Sequence, residues 1–350
     1  MTEAYIVDAT RTAVGRRKGG FAGSHPADMA AHVIKTVVNR HDIDPAAIDD
    51  VILGGCLDNI GSQAGDIART AALAAGLPES VPGVTIDRQC GSAQQAVHFA
   101  AQAVMSGTSD LIVAGGVQKM SQYPILSAFA AGEPFGSTDP WTGCEGWRAR
   151  YGDQEISQFR GAEMIAEQWK LSREDNERFA LASHQRALAA IAEGRFTREI
   201  TEFAGISVDE GPRADTSLEK MAGAADPRRR WRPDGRCRQP DLRRRRSTTG
   251  GLEGRRRPVR LDPPRARIHH ISVRGADPVM MLTAPIPATQ HALKRAGMSI
   301  DDIDTVEINE AFAPVVLAWL AELGGPIPRR SIPTAGRLPW GTRSAAPARD

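Results

Sequence analysis

Cysteine and long apolar runs are both scarce in this chain. Its 350 residues hold four cysteines, Cys56, Cys90, Cys144 and Cys237, and no CxxC pair. That usage argues against a disulfide framework and against a zinc site. No run of 18 or more apolar residues is present, and the opening MTEAYIVDATRT has neither the basic start nor the apolar core of a signal peptide. Membrane spanning and secretion are not expected, and the cytoplasm is the expected compartment. A P-loop and a dinucleotide fingerprint are missing too. Gly54-Gly55 and Gly115-Gly116 read as turns after strands, too short to signal phosphate binding.

Lysine is missing where positive charge is densest. Residues 226–263 carry 14 arginines, no lysine and five acids; residues 326–350 carry five arginines and one acid. The formal net charge of +2 therefore combines local charges of +9 and +4 with −11 elsewhere. The runs at 228–230, 243–246 and 255–257 offer the phosphate-neutralising charge of a nucleic-acid binder, steeply salt-dependent if real. No recognised binding motif accompanies them, and so one-sided a composition points to another origin. No nucleic-acid partner and no membrane partner is expected.

With 41% apolar residues the chain has ample material for a buried core. Up to about residue 223, short β-rich runs alternate with amphipathic or Ala-rich helical runs, the pattern of an α/β fold. Strands are expected at 51–53, 83–87 and 111–114, and helices at 65–75 and 91–106. From 155 to 196 the chain reads as helical, with Ser172 and Asp175 forming a capping box for a helix through Ala190. The second half holds a weak echo: 303–308 (IDTVEI), after a helix near 290–296, repeats the acidic turn and strand of 48–53 (IDDVIL). Strands are expected there at 268–273 and 305–308, and a helix at 312–323.

Cys90 is the sharpest chemical candidate. It lies between the β-prone 81–87 (VPGVTID) and the helix-prone 91–106, which puts a thiol at a helix N-terminus. The unpaired N–H groups there favour thiolate over thiol, as a nucleophile at neutral pH requires, and Gly91 and Ser92 leave room for a substrate. The competing reading is a buried structural cysteine. A second candidate is Asn309-Glu310-Ala311-Phe312-Ala313, where polar groups project from the carboxyl end of a strand. Its competing reading is a helix N-cap. None of the eight histidines sits in a motif that nominates a base; His98 and His184 read as packing or surface residues. His269-His270 lacks the spacing of a metal site, and no metal is expected.

These residues resemble the thiolase family (acetyl-CoA acetyltransferase, 3-ketoacyl-CoA thiolase). The likeness rests on Arg11-Thr12-Ala13-Val14-Gly15, on Asp87-Arg88-Gln89-Cys90-Gly91-Ser92-Ala93-Gln94-Gln95, and on Gly115-Gly116-Val117-Gln118-Lys119-Met120-Ser121. Asp209-Glu210-Gly211-Pro212-Arg213 and the NEAFA motif complete it, so that 1–223 and about 264–324 are covered. The resemblance implies an α/β thiolase fold of two βαβαβαββ halves stacked in five layers (α-β-α-β-α), with the second half truncated and damaged. It implies a first half over 1–120, a helical loop domain over 121–225 and a partial second half over 264–324. It further implies that Cys90 takes the acyl group, that Asn309 orients a water stabilising the thioester oxyanion, and that the chain is a dimer or tetramer acting on coenzyme A and acyl-CoA. Coenzyme A enters as substrate, and no cofactor is implied. The alternative is a non-catalytic acyl-CoA- or sterol-binding relative. The Gln94-Gln95 variant is similar to actinobacterial thiolases of fatty-acid and steroid degradation.

Three family elements are absent: the NPNGGAIALGHPLG stretch whose histidine activates the nucleophile, the CxGGG cysteine that serves as base, and the ASQISDGA loop near coenzyme A. Their places coincide with the two arginine-rich segments. The codons of 238–243 (RQPDLR), read one base later, permit Ala-Ser-Gln-Ile-Ser-Asp; the same shift over 258–263 permits Phe-Gly-Leu-Thr-Pro. A shift the other way over 331–344 permits the histidine motif. The expectation is that 226–263 and 325–350 are translated out of frame, that 226–263 is without order because of its low apolar content, and that activity is impaired.

Overall fold

The computed structural model describes residues 3–55, 59–222, 248–253 and 263–323. Cys56, Cys237, the rest of 226–262, and 324–350 lie outside the described residues, and with them most of the two segments expected out of frame.

Six strands form one mixed sheet: β1 (Tyr5–Arg11), β2 (Asp50–Gly54), β3 (Gly83–Ile86), β4 (Leu111–Gly116), β5 (Thr248–Glu253) and β6 (Ala266–Arg267). Their order is β3-β2-β4-β5-β1-β6. β2 runs parallel to β3 and β4, whereas β5 is antiparallel to both β4 and β1. The carboxyl ends of β1, β2, β3 and β4 therefore share one edge of the sheet, which is where open α/β sheets place ligands.

Strand side chains alternate between faces, and the core divides accordingly. Val51, Leu53, Leu111 and Val113 join a buried cluster with α1 (Pro26–Asn39) and α2 (Ile67–Ala74). Ile52, Ile112 and Ala114 face the opposite way, onto Ala96, Ala100, Ala101 and Val104 of α3 (Ser92–Ser106). The small residues of that α3 stripe bring the helix close to the sheet, and each Val, Leu or Ile so buried contributes about 1.5–3 kcal/mol.

A helical region follows: α4 (Ser127–Ala130), α5 (Glu145–Tyr151), α6 (Gln158–Gln168), α7 (Arg173–Ala192) and α8 (Leu218–Ala222). Ser172 and Asp175 form the expected capping box at the start of α7. After β6 come α9 (Pro285–Ala296) and α10 (Ala313–Leu323). α10 buries Val315 and Ala318 against Ile165 of α6, and Phe312 meets Phe159 edge-on at 5.5 Å.

Three expectations need correction. Residues 305–308 and 268–273 are not strands; β6 covers only Ala266–Arg267. A strand exists through its ladder, and beyond the single bond from the Ile268 amide to the Ala4 carbonyl at 2.9 Å neither segment belongs to a ladder among the described residues. The internal echo accordingly survives as a helix and an acidic turn without its strand. Conversely, six residues inside the segment expected to be without order, Thr248–Glu253, form β5 between β4 and β1. Ladder bonding needs only backbone groups, so a strand position can be filled by Thr-Thr-Gly-Gly-Leu-Glu despite its weak β-propensity.

Candidate functional site

Cys90 lies beyond the carboxyl end of β3 and immediately before Gly91, the N-cap of the 15-residue helix α3. The thiol is exposed and in no disulfide, which sets aside the buried-cysteine reading. Its turn is tightly tied. Asp87 Oδ1 accepts from the Gln89 amide at 2.6 Å, while Ser92 Oγ accepts from the Arg88 amide at 2.7 Å and donates to the Gln89 carbonyl at 2.6 Å. Gln89 is held at φ 50°, an uncommon conformation for a non-glycine residue and one that clusters at functional sites.

The glycines read as plain turns have a more definite task. A Cβ at Gly54 would lie 2.2 Å from the Ser92 carbonyl carbon and oxygen, and one at Gly116 would lie 2.4 Å from the Gly54 carbonyl oxygen. Their lack of side chains lets the first turn of α3 rest against the ends of β2 and β4. Sequence alone does not separate this use of glycine from a turn.

Asn309 is exposed and stands four residues before Ala313, the first residue of α10, so the N-cap reading does not apply. Its neighbour Glu310 is 5% exposed and accepts a 2.6 Å hydrogen bond from Ser183 Oγ of α7, itself 5% exposed. That bond and the Phe312–Phe159 contact fix the NEAFA turn to the helical region. The Cys90 turn is fixed instead by the parallel strands.

Two other quoted motifs meet. Arg11, 1% exposed at the end of β1, forks onto Asp209 through Nη1–Oδ1 and Nη2–Oδ2 at 2.7 and 3.0 Å and donates Nε to Glu199 at 2.8 Å. Asp209 Oδ1 also accepts from the Val14 amide, and Glu210 accepts from the amides of Arg16 and Gly20. These residues pin the loop after β1 and stand outside the chemistry.

Burial, then Arg88, pushes the His98 imidazole below its ordinary value, and its Nδ1 is buried without a hydrogen bond, as befits a packing residue. His184 Nδ1 accepts from the Arg213 amide. The rings of His270 and His291 lie 6.0 Å apart at a tilt of 40°, but no group of three or more His, Cys, Asp or Glu side chains suited to a metal occurs among the described residues.

A feature missed in the sequence is a ladder of half-buried rings, Phe129, Trp141, Trp147 and Tyr151, with centroids 5.6, 5.9 and 4.7 Å apart. The only sequence signal is the i,i+4 spacing of Trp147 and Tyr151 on α5. Leu126 and Phe135, the latter 88% exposed, are further exposed apolar residues of the same chain segment.

Cys90 is thus an exposed cysteine at a helix N-terminus beyond the carboxyl ends of parallel strands, and comparison identifies the family. Residues 4–227 match the thiolase N-terminal domain and 262–332 the thiolase C-terminal domain. The chain is 56% identical to a steroid 3-ketoacyl-CoA thiolase of Mycobacterium tuberculosis, over 97% of this chain and 84% of that one. It is 37% identical to a β-ketoadipyl-CoA thiolase of Escherichia coli, over 93% and 85%. The crystal structure of the Bacillus anthracis acetyl-CoA acetyltransferase superposes with a TM-score of 0.77 at 32% identity, covering 97% of this chain and 88% of that one. The chain belongs to the thiolase family and has the thiolase fold. Thiolases are acyltransferases that cleave 3-ketoacyl-CoA with coenzyme A as substrate and use no cofactor. Among the described residues no helix is long and apolar enough to cross a membrane.

Proposed function

We propose that Cys90 is the nucleophile of a degradative thiolase. Its thiolate adds to the 3-keto carbon, and the oxyanion so formed collapses with cleavage of the bond between carbons 2 and 3. The acetyl-CoA enolate leaves and takes a proton, while the shortened acyl group stays on Cys90 as a thioester. Coenzyme A thiolate then displaces Cys90 and carries the acyl group away. Asn309 positions a water at the oxyanion. The observation that carries this reading is the exposed Cys90 on its tied, positive-φ turn at the start of α3. A bulky, ring-bearing acyl group is supported by the relative named a steroid 3-ketoacyl-CoA thiolase.

The test is iodoacetamide labelling near neutral pH, mapped by mass spectrometry, with exposed Cys144 as internal reference. Cys90 should label faster. Equal labelling, with acyl-CoA still bound, would favour the non-catalytic reading.

Residues 226–263 and 325–350 are, in this proposal, the product of shifted frames. In support, the two family matches leave 228–261 uncovered, the heart of the first arginine-rich segment. The 350-residue chain carries neither the GHP histidine nor the CxGGG cysteine, and loss of one member of a catalytic set removes most of the rate. Acetoacetyl-CoA thiolysis by this chain should be undetectable. Turnover at an ordinary thiolase rate would refute the impairment, and resequencing decides the frames.

A further inference from the structure

A second cleft opens at the same edge of the sheet, beyond the carboxyl ends of β1 and β4. It encloses about 530 Å³ and is lined by Arg17, Lys18, Ser24, His25, Lys119, Ser121 and Gln122, together with Ala22 and Gly23. Arg17, Lys18 and Lys119 line it, and among the described residues no carboxylate does, in a body that outside the arginine-rich segments carries −11.

The cations are arranged rather than scattered. Lys119 is 7% exposed, and its Nζ donates to the backbone carbonyls of Ala22 and Ser24, so it is hydrogen-bonded yet not neutralised. Burial draws its pKa below the ordinary lysine value, the response of an ammonium short of compensating charge. Arg17 and Lys18 are exposed and form no ion pair among the described residues. Their loop is held from behind: Glu210 takes the amides of Arg16 and Gly20 and lies 3.9 Å from the Arg16 guanidinium, so that its charge is already engaged. Lys18 itself sits at φ 57°. His25 caps α1 by accepting the Ala27 amide on Nδ1, which leaves Nε2 as a donor in the neutral ring. Three cations with hydroxyl, amide and imidazole donors around one cleft match the charge and the several acceptor oxygens of a phosphate group.

We propose that this cleft binds a phosphate-bearing anion, with Arg17, Lys18 and Lys119 supplying the charge. The phosphate source is either inorganic phosphate or the nucleotide part of a coenzyme A ester.

Isothermal titration of the full chain with inorganic phosphate and, separately, with coenzyme A at fixed ionic strength tests it. The parent is compared with Arg17→Gln/Lys18→Asn; both side chains are exposed, and Asn tolerates the left-handed conformation at 18. Far-UV circular dichroism checks that the fold is kept, and the two single variants provide the same comparison should the double variant fail that check. Phosphate binding weakened about tenfold or more supports the cleft; each tenfold is about 1.4 kcal/mol. Parallel weakening for coenzyme A assigns the nucleotide source, and unchanged coenzyme A binding assigns free phosphate. No phosphate binding by the parent overturns the proposal. Unchanged phosphate affinity in the variants overturns it too, since the ligand then sits elsewhere, the arginine-rich segments included.

Discussion

Arg11 and Asp209, 198 positions apart in the chain, meet through two side-chain hydrogen bonds of 2.7 and 3.0 Å with both groups buried. Asp209 Oδ1 also holds the Val14 amide, so one carboxylate joins β1, the loop after it and the segment beyond the helical region. A buried charge is costly when its partner goes, more than the pair is worth while intact. Asp209→Ala should therefore destabilise the chain by about 3–5 kcal/mol in chemical denaturation, with Glu199 and the Thr12 carbonyl left on the guanidinium. A loss below about 1 kcal/mol, the value of an exposed pair, would show that Arg11 is solvated in solution.

Gly54→Ala places a methyl 2.2 Å from the Ser92 backbone, where no flexible side chain can yield. The first turn of α3 must lift from the sheet and carry Cys90 with it. The variant should unfold at markedly lower denaturant and lose any preference of iodoacetamide for Cys90 over Cys144. Gly146→Ala in α5 is the control, since nothing lies within 4 Å of its Cβ. A helical Gly→Ala change there should be neutral or stabilising by up to about 1 kcal/mol. Equal behaviour of the two variants would discount the close approach.

Much of the sheet and its helices is legible in the sequence because local pattern and tertiary role agree. β2 and β4 are apolar runs bounded by acidic residues and glycine pairs, α3 and α7 carry their end signals, and their observed limits differ from expectation by about two residues at most. Failure falls where a strand depends on distant partners. Residues 305–308 (TVEI) and 268–273 (IHHISV) have β-prone composition, yet composition supplies no ladder. Thr248–Glu253 errs the other way, with unremarkable composition but two neighbours to pair with. At the site, Cys90 and Asn309 stand out through their motifs, whereas the Ser183–Glu310 bond joins residues 127 positions apart and leaves no local trace.

Acid should weaken the fold through histidine. Burial, then Arg88, lowers the His98 pKa, and burial likewise leads the lowering at His32. The folded state then holds fewer protons than the unfolded chain just below the ordinary histidine value of 6.5. Stability consequently falls as pH drops through about 6.5 toward the depressed folded value, and it is flat in this respect above that. Unfolding free energies from pH 8 to pH 5 should show that slope, and His98→Leu should make it shallower. A slope unchanged in His98→Leu would mean that this ring is protonated as easily folded as unfolded.

Ser183 and Glu310 bind the NEAFA turn to α7, and both take part in other contacts, so single substitutions mix several effects. Ser183→Ala withdraws a donor from a buried carboxylate, which should cost about 1.5–3 kcal/mol, the usual worth of a hydrogen bond to a charged group. Glu310→Gln keeps the shape and removes the charge. A double-mutant cycle isolates the pair: with the bond intact in solution, the coupling should be about 0.5–3 kcal/mol and the double variant less impaired than the sum of the singles. Strict additivity, within about 0.3–0.5 kcal/mol, would mean that the turn bearing Asn309 is anchored by Phe312 packing on Phe159 and not by the hydroxyl of α7.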